Sequence, residues 1–171
     1  RLGPLLRSLH ELRVLEKLVP GFDHTRCLLQ FNEYHKYTVD EHTLLTIKNI
    51  EHLCTPRTRS RTRFAGVITE IDKPELLILA LLFHDVGKWT NKNHSEEGAR
   101  MAIGALRRIK LPETDIATVE FLIRHHLRMS VTAFRRDVED PETVTQFANL
   151  VGTEERLKLL CLLTLADVDG V

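Results

Sequence analysis

The stretch "LALLFHDVGKW", residues 79–89, decides how the whole chain is read. It completes an apolar run from Leu76 to Phe83 and ends in His84, Asp85 and Lys88. Pro74 suits the first turn of a helix, and Gly87 suits a C-terminal stop. A helix apolar on all sides belongs at the centre of a protein. An unpaired carboxylate there is costly and needs a cation or a strong hydrogen-bond partner. A divalent metal would satisfy His84 and Asp85 together, with further ligands drawn from elsewhere in the chain.

The flanking segments are also helical in pattern. Leu5, Leu9, Leu12, Leu15 and Leu18 or Val19 recur at helical spacing up to Pro20 and Gly21. Thr38 to Glu41 has the form of a capping box, opening a helix to about Cys54. Residues 55–72 show no clear period and read as a long connection. Asn93 opens a helix to about Ile109, and Pro112 one to about Arg128. Asp140 and Pro141 open a helix to Leu150, and Thr153 one through Asp167. Alternating β-branched runs are nearly absent. The prediction is an all-α bundle of about seven helices. Leu76–Phe83 and Leu157–Ala166, apolar all round, should be its enclosed helices. Residues 1–22 are expected to form a leading helical segment packed on a domain of residues 23–171.

Length and charge narrow the function. A chain of 171 residues can bury a sizeable core as one domain. Its 24 Lys and Arg balance 24 Asp and Glu, so no global positive field holds a nucleic-acid backbone. Arg57, Arg59, Arg61 and Arg63 crowd one loop, which reads as solvated or as a contact for an acidic partner or phosphate. No apolar run reaches the roughly 18 residues of a membrane span, and no signal peptide is expected. Cys27, Cys54 and Cys161 are odd in number and far apart. They are expected to be buried or half-buried, in a reducing compartment. The expected location is the cytoplasm. Both ends read as cut, so the chain is expected to be one domain of a longer protein.

Among nine histidines, several fall at predicted helix ends. His42 and His94 lie in first turns. His125 and His126 lie near a helix end, as does Asp167. Adjacent helical residues point about 100° apart. One of His125 and His126 is therefore expected to serve a given ion, the other to bind substrate or pack. The set His42, His84, Asp85, His94, His125 or His126, and Asp167 predicts a centre for one or two divalent ions. Imidazole and carboxylate ligands suit Mn, Fe, Co, Ni or Zn better than Mg, without excluding Mg.

The order H…HD…H…HH…D, with HDVGK at its middle, resembles the HD superfamily of metal-dependent phosphohydrolases. "YHKYTVDEHTL" (34–44), "HSEEGA" (94–99), "RHHLRMSVTAFRRD" (124–137) and "LTLADV" (163–168) point to one branch. They resemble the HD domain of bifunctional uridylyltransferase/uridylyl-removing enzymes, which modify the nitrogen-signalling protein PII. "LRSLHELRVLEKLVPGF" (6–22) is similar to the helical segment leading into that domain. The likeness spans nearly the whole chain. Trp89 departs from it, since relatives usually carry a small residue there, and the Arg57–Arg63 loop finds no match.

The resemblance implies hydrolysis of a phosphodiester, with removal of UMP from uridylylated PII. Nucleotidyltransferase and ACT domains would lie elsewhere in the longer protein. His42, His84, Asp85 and Asp167 would hold a first ion. Asp85 would bridge to a second, completed by His94 and His125 or His126. Lys88 would meet the non-bridging phosphate oxygens or the leaving oxygen. Arg135 and Arg136 would contact phosphate or the partner, or pair with Asp137 and Glu139. Two other readings stay open: hydrolysis of another nucleotide (a cyclic nucleotide, a dNMP or an alarmone), or a catalytically silent module that regulates neighbouring domains.

Overall fold

The computed structural model describes residues 2–30, 36–53 and 64–170. Its middle is α5 (Pro74–Phe83), where Leu76, Leu77, Ala80, Leu81, Leu82 and Phe83 are buried. Each fully enclosed leucine contributes about 1.5–3 kcal/mol, so this short helix is held by packing, not by propensity. Four helices surround it: α3 (Val39–Leu53), α6 (His94–Arg108), α7 (Glu113–His125) and α10 (Glu154–Val168). α6 comes closest. A Cβ on Gly98 would stand 2.7 Å from the Phe83 carbonyl, so only glycine admits this approach.

α10 buries Leu159, Leu160, Leu162, Leu163 and Ala166. Leu157, expected inside, is 41% exposed because it lies in the first turn, before the helix enters the core. Thr153 caps that turn, its hydroxyl accepting from the Arg156 amide. Asp140 caps α9 (Pro141–Val151) through the amides of Glu142 and Thr143. Asn93 caps α6 through the Ser95 amide.

The leading segment lies along α3. The Leu2 and Gly3 amides donate to the Glu51 carboxylate, and Arg7 pairs with Glu41. Glu41 thus gives both carboxylate oxygens to Arg7, where a capping box was expected. Leu6, Leu15, Val19 and Phe22 are buried in the same core as Ile47.

The structure corrects the expected boundaries. The single helix read from Leu5 to Val19 is two, α1 (Leu2–Glu11) and α2 (Leu15–Leu18), separated where Arg13 adopts φ +58°. The helix read from Pro112 to Arg128 stops at His125, and a further helix, α8 (Arg128–Arg135), follows. Among the described residues there are therefore eight helices of eight residues or more, and no strand. The connection read over 55–72 contains α4 (Phe64–Val67) and a 3₁₀ turn, Ile68–Glu70. Cys54 and Arg57, Arg59, Arg61 and Arg63 lie outside the described residues. Cys27, expected at least half-buried, is exposed on a turn with φ +56°, while Cys161 is half-buried. No described helix is long and apolar enough to cross a membrane.

Candidate metal centre

α5 ends where its chemistry begins. His84 and Asp85 follow Phe83, and the chain then turns through a 3₁₀ segment, Val86–Trp89. Gly87 is no left-handed cap, since its φ is not among the positive ones. It is there for space: a Cβ would meet the His94 carbonyl oxygen at 2.2 Å. That close passage brings the first residue of α6 beside Asp85.

Four elements converge on Asp85. His42 Nε2 from α3 lies 3.7 Å from Asp85 Oδ2, and His84 Nε2 lies 3.3 Å from the same oxygen. Asp167 Oδ1 from α10 is 2.9 Å from His42 Nε2 and 3.5 Å from His84 Nε2. On the other side, His94 Nε2 and His126 Nε2 are each 3.9 Å from Asp85 Oδ1 and 3.3 Å from one another. The carboxylate thus has one oxygen in each of two clusters. His42, His84 and Asp85 offer ligand atoms all within 4.8 Å, as do Asp85, His94 and His126.

The imidazoles are oriented for a cation. His84 Nδ1 donates to Leu81 O at 2.8 Å, and His126 Nδ1 donates to Ile123 O at 2.7 Å. His42 Nδ1 donates to Gly170 O at 2.9 Å. Two of these acceptors belong to the last turn of a helix, where carbonyls lack intrahelical partners. A proton fixed on Nδ1 turns Nε2 inward, which is how metal-binding histidines are held. His84 Nε2 is buried and has no hydrogen-bond partner. Such an orphan is costly unless something else fills the position. The donor set therefore fits one or two divalent ions.

A family model described as the HD domain matches residues 39–169, which includes every residue of both clusters. The chain belongs to the HD domain family. It is also similar to a bifunctional uridylyltransferase/uridylyl-removing enzyme from Ruegeria pomeroyi, 43% identical over 97% of this chain and 18% of that protein. The enzyme of the same description from Xanthomonas euvesicatoria pv. vesicatoria is 43% identical over 96% of this chain and 19% of its own length. This HD domain thus spans less than a fifth of the curated relatives it matches.

The electrostatics of the HD domain follow from burial against paired charge. Burial alone would lower the His84 pKa, but the charges of Asp85 and Asp167 outweigh it and push it up to about 10. The field at this nitrogen therefore favours positive charge. Burial would raise the Asp85 pKa, yet His84, Lys88 and His126 hold it well below the usual carboxylate range. Asp167 is likewise depressed against its burial, by bonds to His42 and His84. His126 is pushed down to about 4, by burial first and then by His84, so it stays neutral and able to ligate. Burial also lowers His94.

Not every residue singled out in the sequence reaches the centre. His125 packs its ring on Phe121, with centroids 4.8 Å apart, and it is His126 that faces Asp85. Lys88 does arrive, its ammonium 2.7 Å from Asp85 Oδ2. Arg135 and Arg136 are exposed at the far end of α8, and neither side chain bonds to the cluster or pairs with Asp137 or Glu139 among the described residues. Three contributors escaped sequence reasoning: the carbonyls of Leu81, Ile123 and Gly170. The first two had a signal, a histidine just past a helix end with a carbonyl three residues back. Gly170 had none.

Proposed function

We propose that this HD domain hydrolyses a phosphodiester with the help of divalent metal, releasing UMP from uridylylated PII. The observation that carries the reading is the inward turn of three Nδ1-anchored imidazoles onto the Asp85 and Asp167 carboxylates. The similarity to uridylyl-removing enzymes over nearly the whole chain supports the choice of substrate.

In this reading His42, His84, Asp85 and Asp167 hold a first ion, and Asp85, His94 and His126 a second. Divalent metal held by these residues would supply acidified water at neutral pH and neutralise charge on the phosphoryl oxygens. The protein supplies everything else. Asp85 uses one oxygen for each cluster and so fixes their spacing. Lys88 places an ammonium beside that carboxylate, where it can turn to a phosphoryl oxygen as charge gathers there. The enclosed walls of α5 and α10 keep the ligands from moving when substrate arrives. The resemblance implies a UMP joined to a tyrosine of PII, and tyrosinate, with a conjugate acid of pKa about 10, would leave without strong protonation.

The test is incubation with Mn²⁺ and either uridylylated PII or bis(p-nitrophenyl) phosphate. Release of UMP from the protein is the expected result. Turnover of the synthetic ester alone would move the assignment to another nucleotide. Turnover of neither, with metal bound, would identify a regulatory module.

A further inference from the structure

α8 and α9 bury almost nothing: none of the eight residues of α8, and only Val151 of α9. Both nevertheless carry an apolar face, and Phe134 on α8 is 83% exposed. Between α8, α9 and the first turn of α10 lies a hollow of about 540 Å³, walled by Met129, Val144, Phe147 and Leu157 among others. An apolar hollow between two helices that bury almost nothing is a candidate interaction site. Through Thr132, Thr143 and Phe147 the hollow shares its wall with a second, of about 200 Å³, edged by Arg128 and Arg136. Neither guanidinium has a carboxylate partner among the described residues, whereas Glu154 is paired with Lys158 and Asp140 is occupied as a cap. The complement of this surface is a peptide segment bearing an apolar side chain and, close by, a carboxylate.

The α10 wall of the hollow stands apart from the centre, although Arg128 on α8 follows His126 by only two residues. Leu157 and Asp167 lie ten residues apart on α10, about 15 Å at 1.5 Å per residue. That is beyond a group joined to the scissile phosphorus by a few bonds, but within reach of a protein that carries it. The groove and the centre are also rigidly related. α8 begins two residues after His126, and α10 carries both Leu157 and Asp167.

We propose that the α8–α9–α10 groove docks the protein half of the substrate, seating an apolar side chain in the trough and a neighbouring carboxylate on Arg128 and Arg136. This rests on the reading that the substrate is a uridylylated protein. It separates two kinds of substrate: a small diester meets only the metal centre, and a modified protein meets the centre and the groove.

The experiment compares Val144→Asp, Leu157→Asp and Arg136→Glu with the wild-type chain, using Mn²⁺, uridylylated PII and bis(p-nitrophenyl) phosphate. Each variant is expected to raise KM for uridylylated PII by about tenfold or more, with kcat near wild type. Val144→Asp and Leu157→Asp should leave kcat/KM for the small diester within about twofold. Should either apolar variant fail to fold, Arg136→Glu, at the exposed end of α8, still reads the KM for the protein. An unchanged KM for uridylylated PII overturns the groove, and so does an equal loss on both substrates. A wild-type chain that cleaves the diester but not uridylylated PII overturns the substrate reading itself, and the groove with it.

Discussion

The difference between His125 and His126 is a matter of one residue and about 100° of helix rotation. His125 reaches back to Phe121, four residues earlier; His126 reaches the Ile123 carbonyl, three earlier, and so presents Nε2 to Asp85. His126→Ala should therefore lower metal content, read by elemental analysis, with turnover falling at least a hundredfold. His125→Ala should keep the metal. Equal metal loss in both variants would contradict the orientation described. Lys88 sits on Asp85 without completing either cluster. Lys88→Ala is expected to cut kcat by about 10²–10³-fold while metal content stays near normal. A Lys88→Ala protein stripped of ions would make the lysine structural instead.

Element ends carry the site, and element ends are where sequence reasoning was strongest and weakest. Helix starts at Asn93, Asp140 and Thr153 were legible because their side chains cap the next amides. The break between α7 and α8 was not. His126 and Leu127 keep right-handed, nearly helical dihedrals, so no glycine or proline marks it. Gly87 was legible as a stop, but its reason was not: the need for space lies with His94, seven residues on. Gly87→Ala should destabilise by about 1–3 kcal/mol in urea titration and displace His94, lowering the second ion's occupancy. The Asp140 cap gives a pH signature. The Glu142 amide and then the Thr143 hydroxyl hold its carboxyl below the usual carboxylate range. Its contribution is complete above the unfolded value of about 3.9 and is lost as pH falls through the lower folded value. The Tm gap between wild type and Asp140→Asn should be open at neutral pH and close as acid takes the carboxyl below its unfolded value of about 3.9. A gap that widens in acid would contradict this.

At the scale of the molecule, His84, Asp85 and Asp167 were legible because they end apolar helices, and His42 and His94 because they open helices. Their convergence depends on α3, α6, α7 and α10 all packing round α5, which no local pattern states. A cation bound among the inward carboxylates and imidazoles would stabilise the folded state. Metal at a hundred times its Kd would add about 2.7 kcal/mol. For a chain of this length, chelation should then lower Tm by roughly 5–11 °C. No shift on chelation would mean that the unfilled cluster costs little. One feature couples the molecule's periphery to its middle. His42 is held at both ring nitrogens by the end of α10 and the turn that follows it: Nδ1 by the Gly170 carbonyl, Nε2 by Asp167. A displacement of that segment would act on both nitrogens at once. It would tilt the imidazole and shift the carboxylate in one stroke, which makes the tail of α10 a lever on the bite of the first cluster.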